Sequence, residues 1–199
     1  IDTIDPAFHI PAKWISEDKK IQAELAGYTL IDPTSVVITH LSEVVKEHLH
    51  ELLNRQEVNN LLETLKKTNA SIIEDTIPAV ITVGELQKVL SNLLREGIPI
   101  RDMETIVETL GDYGTQIKDT DMLTEYVRQA LKRTISHRFS EAGQMKVLSL
   151  DDKIENMIMS SVQKKDHGSS LALEPTVLQL ILSSATSVFH HITDLDNLP

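Results

Sequence analysis

The sequence contains no cysteine, and aromatic residues make up only 4% of its 199 positions. Without Cys there is no disulfide framework, no thiolate nucleophile and no Cys-ligated zinc. Positive charge is also scarce, since 19 Lys and Arg stand against 30 Asp and Glu, a net charge of −11 with His neutral. Binding to nucleic acid or to an anionic membrane is therefore disfavoured, because both need a cationic surface.

Long apolar runs are missing as well. No stretch approaches the roughly 20 apolar residues that a membrane-spanning helix needs. Residues 1–8 include two Asp and have neither a cationic segment nor an apolar one, so they are not typical of a signal peptide. Because the chain begins with Ile1 rather than Met, we expect it to be an excised piece of a longer protein.

Signatures of the common catalytic sites are absent from the sequence. There is no phosphate-binding GxxxxGKS/T, no dinucleotide-binding GxGxxG after a strand, no esterase GxSxG and no zinc-protease HExxH. Each of these motifs places particular side chains or backbone N–H groups around a reacting atom. Their absence favours a protein that is not an enzyme and that needs no cofactor.

What the sequence does contain is helical periodicity, above all in its middle. Asn54 with Glu57 and Thr82 with Glu85 have the spacing of capping boxes, in which the two residues bond to each other's backbone N–H. Apolar residues recur every three to four positions after each pair, as on the buried face of a helix. The pattern predicts an all-helical unit over residues 54–138, within which residues 72–77 are expected to form only a brief turn that ends at Pro78.

The regions on either side of this unit mix helical patterns with short strand-like segments. Residues 28–31 (YTLI) and 145–150 (MKVLSL) have the composition or alternation of strands. Asp32-Pro33 is a helix start, and the apolar spacing that follows predicts one amphipathic helix of about twenty residues. The polar residues 164–170 favour a loop. The expected fold is mainly α with small α/β portions: several subdomains, with a central all-helical unit flanked by fragments of α/β subdomains.

One pattern on that amphipathic helix resembles a metal site. His40, Glu43 and Glu47 share a helix face at i, i+3 and i+7, and His and Glu are common ligands of transition metals. A solvated helix face explains the same residues, since metal sites usually draw ligands from a second element. The alternative to a binding protein is thus a metal-dependent helical enzyme or regulator that uses these three residues.

The opening segment 5–15 (DPAFHIPAKWI) combines two prolines with two aromatic residues and has no periodicity. In a chain with so few aromatic residues, Phe8 and Trp14 can be core fillers. Phe8 can instead be the aromatic anchor of a cleft that binds a partner helix. The residues alone leave both interpretations open.

Long strings of this sequence resemble the export-gate family of bacterial flagellar and type III secretion systems, the FHIPEP family, in its C-terminal cytoplasmic domain. The resemblance is nearly continuous over residues 5–135 and weaker over 140–199. It is specific, because THL…HxxELLxRQEV and IPIRDM…IxETL occur in the family in this order and spacing. The strings that carry it are residues 5–15, 23–58 (AELAGYTLIDPTSVVITHLSEVVKEHLHELLNRQEV), 72–78 (IIEDTIP), 86–110 (LQKVLSNLLREGIPIRDMETIVETL) and 123–135 (LTEYVRQALKRTI).

The resemblance implies a protein of the bacterial inner membrane whose large cytoplasmic region has four subdomains and forms a nonameric ring. Such proteins are not enzymes. They receive chaperone–substrate complexes delivered by the export ATPase complex and work with other export-gate proteins. The DPAF and GYTLIDP strings favour a flagellar system over a virulence system. Carried onto this chain, the family's division implies the end of the second subdomain, a helix returning to the first, the helical third subdomain and part of an α/β fourth: 1–32, 33–53, 54–138 and 139–199.

The resemblance also implies a binding site. Filament-type chaperones of flagellar systems dock in a hydrophobic dimple between the first two subdomains. The dimple uses the Asp and Phe of the DPAF motif, the Thr of the THL motif and apolar residues near that Thr. The matching residues of this chain are Asp5, Phe8, Thr39, Ile31 and Val36. The family pattern has Gly after the Phe, where this chain has His9, so the conformation of that turn is an open question.

Overall fold

The computed structural model describes residues 1–140, 142–145, 147, 149–165 and 168–193. The chain is mainly α, as predicted, and its described strands form two antiparallel pairs, β1 with β2 and β3 with β4. A single 3-10 turn, Glu17–Lys19, precedes the first α-helix. The elements in chain order are β1 (Asp2–Ile4), β2 (Pro11–Lys13), α1 (Lys20–Leu25), α2 (Pro33–Glu47), α3 (Leu49–Leu52), α4 (Arg55–Lys66), α5 (Ala70–Thr76), α6 (Val83–Arg95), α7 (Met103–Tyr113), α8 (Thr120–Ala130), α9 (Lys132–Phe139), α10 (Asp152–Ser161), β3 (Val162–Lys165), β4 (Gly168–Leu171) and α11 (Pro175–Thr193).

The buried core lies in the middle of the chain, where α4 to α8 pack on one another. Its first buried apolar residue is Leu53 and its last is Leu131, and no residue of 1–52 is buried. Burying a Val, Leu or Ile side chain contributes about 1.5–3 kcal/mol, so these helices hold most of the hydrophobic stabilisation. The residues that are almost fully buried are Val58, Ile81, Leu86, Val89, Leu90, Leu93, Ile106, Val107, Leu110, Val127 and Leu131.

The predicted helix starts in this unit are confirmed at the level of hydrogen bonds. Thr82 and Glu85 form the full capping box: the Glu85 N–H donates to Thr82 Oγ1 (3.2 Å), and the Thr82 N–H donates to Glu85 Oε2 (2.7 Å). Hydrogen bonds from Thr82, chiefly its backbone N–H, hold the pKa of Glu85 below its usual value. At Asn54 only one half of the box forms, because the Asn54 side chain accepts from the Glu57 N–H (3.0 Å).

The sequence did not predict α5, where residues 72–77 were expected to form only a brief turn. Pro78 excludes the α conformation only for Ile77, whose φ and ψ are −120° and 124°. The helix therefore continues to Thr76. Ile73 and Thr76 are buried, and α5 packs against α7. Tertiary packing stabilises a helix that is only seven residues long.

A glycine allows α5 and α7 to approach closely. Gly111 lies inside α7, and a Cβ atom added there would stand 2.8 Å from Thr76 Oγ1. Real Cβ atoms essentially never come this close to another heavy atom, so a side chain at this position would force Thr76 or the two helices to shift. Gly111 therefore serves helix packing.

The strand predicted at residues 28–31 is wrong. These residues are irregular, and no described strand pairs with them. An isolated strand leaves its backbone N–H and C=O groups without partners, so its sequence preference alone does not stabilise it. The long helix predicted after Asp32 is also interrupted, because α2 ends at Glu47 and α3 begins at Leu49.

The prediction for the region after α9 is partly wrong. Met145, Val147 and Leu150 are irregular, whereas residues 146 and 148 of the predicted strand lie outside the described residues. The predicted loop at 164–170 instead contributes to the β3–β4 hairpin, with Val162 opposite Leu171; residues 166 and 167 lie outside the described part of the chain. Hydrogen bonds between backbone groups hold the two strands together. Their side chains are mostly polar, so the sequence pattern did not indicate strands here. Within the residues that the structure describes, no helix combines the length and apolarity that crossing a bilayer requires.

Candidate docking site

Two of the five predicted site residues lie in the turn between β1 and β2. Asp5 organises this turn, because its Oδ1 accepts the backbone N–H groups of Ala7 (2.9 Å) and Phe8 (2.8 Å). The Asp5 backbone closes the turn as well, donating to the Ile10 carbonyl (2.8 Å) and accepting from the His9 N–H (2.9 Å). The Asp5 carboxylate thus fixes the backbone that presents Phe8.

His9 occupies a conformation that glycine usually takes. Its φ is +56°, in the left-handed region, where an L side chain costs about 1–2 kcal/mol. His is among the residues enriched there. The conformation of this turn is therefore clear: His9 adopts the left-handed backbone that Gly takes most readily.

Phe8 projects from this turn into solvent. Its side chain is 59% exposed, and Trp14 at the other end of the segment is 46% exposed. Trp14 joins the hairpin through its backbone carbonyl, which accepts a hydrogen bond from the backbone nitrogen of Ile1 (2.7 Å). Neither aromatic ring is a core filler in this structure, so that interpretation is wrong for both.

The other three predicted residues lie at the start of α2. Asp32 caps the helix as predicted: its Oδ1 accepts from the Ser35 N–H (3.0 Å), and its other oxygen accepts from the Ser35 hydroxyl. The Ser35 hydroxyl is the main cause of a lowered Asp32 pKa. Ile31 precedes the cap and is 56% exposed, whereas Val36 and Thr39, three residues apart on the helix, are half-buried.

The five residues thus form two groups rather than one closed pocket. Asp5 and Phe8 belong to the β1–β2 turn, and Ile31, Val36 and Thr39 belong to the start of α2. Across the described residues, no hydrogen bond or ion pair links one group to the other. The connection between them runs through the 3-10 turn and α1.

Sequence reasoning missed that the apolar face of α2 is open. The periodicity predicts a buried stripe, yet Leu41 is 62% exposed and its apolar neighbours are also exposed. Apolar patches of this kind mark interaction sites or surfaces that another segment covers. The exposed apolar residues of α2 and α3 are Val37, Ile38, Leu41, Val44, Val45, Leu49 and Leu52.

The structure gives no support to the metal interpretation of α2. No three His, Asp or Glu residues in the described ranges are arranged to hold a metal ion. Glu43 is engaged elsewhere, because its Oε1 accepts from Lys46 Nζ at 2.7 Å. His40 and Glu47 are exposed. The three residues therefore belong to a solvated face of α2.

A concavity that the sequence analysis did not predict lies between α6 and α8. It is a groove of about 220 Å³ with polar walls. Three of its charged side chains are paired with one another: Arg128 Nη1 donates to Glu125 (2.7 Å), and Arg128 Nη2 donates to Glu96 (2.7 Å). The spacing of Glu125 and Arg128 was the only sequence signal for this network. These contacts brace two helices and present no activated nucleophile or base.

Comparison with protein families gives a match over the whole chain. The sequence model of the FHIPEP family matches residues 1–199. Among curated proteins, the chain is 44% identical over 185 residues to the flagellar biosynthesis protein FlhA of Bacillus subtilis. It is 40% identical over 162 residues to the FlhA of Escherichia coli. These alignments cover 92% and 81% of this chain but only 27% and 23% of the relatives, so the chain spans about a quarter of their length.

Solved structures share the fold. The Chlamydia pneumoniae CdsV protein matches with a TM-score of 0.80 and 36% identity, over 89% of this chain and 52% of that one. CdsV in complex with CdsO gives a TM-score of 0.79, with 36% identity, over 87% and 51% of the two chains. The nonameric SctV-C of EPEC gives 0.71 with 27% identity, over 86% of this chain and 53% of that one.

Proposed function

This chain belongs to the FHIPEP family, and from that premise we propose that it is part of the cytoplasmic docking platform of a bacterial flagellar type III protein export gate. The platform receives chaperone–substrate complexes for export and flagellum assembly, and it carries out no catalysis. The observation that carries the proposal is the exposed Phe8 ring, which sits on a turn held by two hydrogen bonds to Asp5.

The chemistry of the proposed site suits a helix of a chaperone. Phe8, Ile31 and Val36 offer apolar area, which contributes about 25 cal/mol for each Å² removed from water. Asp5 acts by fixing the turn, so that Phe8 is already ordered before the partner arrives and less entropy is lost on binding. The Thr39 hydroxyl, one helical turn from Val36, supplies a polar group that orients the partner.

The names of the relatives favour a flagellar system over a virulence system. The Bacillus subtilis and Escherichia coli proteins are both flagellar biosynthesis proteins, at 44% and 40% identity. The solved CdsV structure is 36% identical. Binding of a virulence chaperone instead of a flagellar one would reverse this assignment.

Assembly is part of the same proposal. The SctV-C relative is described as nonameric, and the CdsV relative was solved with CdsO. By analogy, we infer that the complete protein forms a homo-oligomeric ring at the bacterial inner membrane, with these residues facing the cytoplasm. The ring would meet the export ATPase complex and other export-gate proteins. In this arrangement, the predicted subdomains 1–32, 33–53, 54–138 and 139–199 are parts of each ring subunit.

The test is calorimetric titration of a filament-type flagellar chaperone–substrate complex into the complete cytoplasmic domain. Phe8→Ala is expected to weaken binding by about 1–3 kcal/mol, or about 5- to 150-fold, because an exposed anchor is removed. Asp5→Ala and Thr39→Ala should weaken it as well. Phe139→Ala, which truncates an exposed aromatic ring on α9, is the matched control and should bind like the wild type.

The circular dichroism of all variants should match the wild type, since neither Phe ring lies in the core. Equal binding by Phe8→Ala and wild type would show that the docking surface lies elsewhere. Unfolding caused by Phe8→Ala would return Phe8 to the role of a packing residue.

A further inference from the structure

The groove between α6 and α8 continues along α6 into a second concavity of about 440 Å³. The two concavities share Asn92, Arg95 and Asp121 in their linings, so they form one surface, which we call the α6 groove. It extends from Arg95 back to Gly84, near the start of α6, and about 16 Å of helix separates these two residues. The α6 groove is therefore long enough to hold a segment of a protein chain.

Hydrogen bonds to the neighbouring helices hold the α6 side chains of this groove in place. Towards α3, Gln87 Nε2 donates to the Leu53 carbonyl (2.8 Å). Towards α8, Asn92 Nδ2 donates to Asp121 Oδ1 (3.1 Å) and to Thr124 Oγ1 (3.2 Å). The groove is thus formed before any partner arrives, which limits the entropy that is lost on binding.

Each carboxylate that lines the α6 groove already has a hydrogen-bond donor within the chain. Asp121 accepts from Asn92. Glu96 and Glu125 both accept from Arg128, at 2.7 Å in each case. Their negative charges are therefore partly balanced inside the protein.

The cations along the same groove have no such partner. Lys88 and Arg95 are exposed, and neither side chain forms an ion pair or hydrogen bond with any residue that the structure describes. Arg55 is a third exposed and unpaired cation: a Cβ atom added to Gly84 would lie 3.4 Å from Arg55 Nη2, so this guanidinium group stands at the Gly84 end of the groove. A chain with a net charge of −11 thus has a row of three cations without internal partners.

We propose that the α6 groove is a docking surface for an acidic helical segment of a partner protein. Lys88 and Arg95 are two helical turns apart, about 10 Å along the axis of α6. Carboxylates two turns apart on a partner helix have the same separation, so they can pair with both cations at once. Arg55 adds a third positive charge at one end of the groove.

The charges of the groove favour a protein segment over a nucleic acid. Asp121, Glu96 and Glu125 line the side of the groove that faces α8. A phosphate backbone carries a negative charge at every nucleotide, so part of it would meet these carboxylates. A protein segment places its carboxylates only opposite the cations. This surface is separate from the residues of the proposed chaperone site, and the inference does not rest on the proposed function.

Peptide titration into the complete cytoplasmic domain tests the groove. The probe is an Ala-rich helical peptide of about 20 residues with Glu residues two turns apart, and the control probe has Gln at the same positions. We expect the Glu peptide to bind, with an affinity that falls as the salt concentration rises, because its contacts are exposed ion pairs. The Gln peptide should not bind.

A charge reversal in the protein locates the binding. Lys88→Glu combined with Arg95→Glu should weaken binding of the Glu peptide by about tenfold. A peptide with Lys in place of Glu should bind this double variant better than it binds the wild type. Lys66→Glu combined with Lys67→Glu is the matched control, because it makes the same change in net charge at two exposed residues at the end of α4, outside the groove.

Two results of the titration would overturn the proposal: no binding of the Glu peptide to the wild type, or equal binding by the two double variants. Sedimentation velocity of the domain alone checks the identity of the partner. Self-association that Lys88→Glu with Arg95→Glu abolishes would show that the groove takes a second copy of this chain, and would overturn the proposal of a different partner. No chaperone–substrate complex is present, so failure here is distinguishable from failure of the docking site around Phe8.

Discussion

The central helices and α2 have apolar stripes of the same kind, but only those of the central helices are buried. Leu90 on α6 is fully buried, whereas Leu41 on α2 is 62% exposed. Both residues recur in a helical pattern with charged residues between the apolar ones, and both helices begin with a capped N-terminus. The difference lies in what surrounds them, because α6 contacts α3, α4 and α8 while α2 has no comparable neighbours among the described elements.

This comparison teaches that amphipathic periodicity predicts a helix and the face that needs covering, but not whether a neighbour covers it. The same holds for aromatic residues, since Phe8 and Trp14 are exposed in a chain with few aromatic residues. Uncovered apolar area raises the free energy of the isolated chain and is recovered when a partner binds. The flanking regions are therefore where binding is expected, and the central unit is where stability is expected.

The largest expected effect tests whether the central helices, rather than α2, supply the stability. It compares two leucines, Leu90 on α6 and Leu41 on α2. Leu90→Ala should lower the free energy of unfolding by about 2–5 kcal/mol, because it leaves a cavity in the core. Leu41→Ala should change it by no more than about 0.5 kcal/mol, since that side chain is mostly in water. Urea denaturation followed by circular dichroism measures both. Equal effects of the two substitutions would refute the division into a stabilising centre and an uncovered flank.

A second, smaller effect tests how closely α5 and α7 pack against each other. Gly111→Ala should destabilise by about 1–3 kcal/mol, because its Cβ would collide with Thr76 Oγ1, although Ala is normally the better helix former. In a Thr76→Ala background the same substitution should cost less, since the colliding oxygen is gone. A double-mutant cycle on the unfolding free energy measures this coupling. Additive effects would show that the two helices are not in tight contact here.

The carboxylates that cap α6 and α2 predict different effects of acid on the two regions. The lowered pKa of Glu85 means that its capping contribution is fully present above about 4.5 and is lost as the pH falls through the lowered value. The pKa of Asp32 is also lowered, so its capping contribution is fully present above about 3.8 and is lost as the pH falls through the lowered value. Asp32, however, caps α2, which has no buried residue. We therefore expect Glu85→Gln to flatten the acid limb of global unfolding. Asp32→Asn should alter only the helicity of α2, as followed by amide exchange.

The smallest expected effect concerns the turn that presents Phe8. His9→Gly should relieve the left-handed strain by up to about 1 kcal/mol, and it should do so locally, because the turn contributes nothing to the core. Amide hydrogen exchange at Ala7 and Phe8 should slow if relief of strain dominates, while the midpoint of global unfolding stays the same. Faster exchange in the variant would show that the flexibility of Gly outweighs the strain that His9 introduces.

Local signals in the sequence were sufficient for much of the fold. Three helix starts could be identified without a tertiary structure, because the residues that signal them act through neighbouring backbone groups. These residues are Thr82 with Glu85, Asn54 with Glu57, and Asp32 with Pro33. Helix α5 was missed because burial of Ile73 and Thr76 stabilises it. The β1–β2 hairpin was missed because its short strands do not alternate and the Asp5 turn organises their pairing.

The candidate site was only partly predictable. The resemblance to the FHIPEP family picked out Asp5, Phe8, Ile31, Val36 and Thr39, and their role in docking remains a prediction, as does the division into four subdomains. The residues alone could not separate an anchor from a core filler at Phe8, since both roles use a large apolar ring. Nor could the spacing of His40, Glu43 and Glu47 show whether a second element joins them, which none does among the residues that the structure describes.

By itself, the sequence determined where most helices begin, which faces of them are apolar, and which family the chain resembles, because caps, periodicity and motifs depend on residues that are near one another in the chain. Only the tertiary structure decided which apolar faces are covered, that Phe8 stands in solvent on a turn held by Asp5, and that the helix is interrupted at His48. These outcomes depend on contacts between residues far apart in the chain, such as Gln87 with Leu53, and burial is a property of the whole packing arrangement.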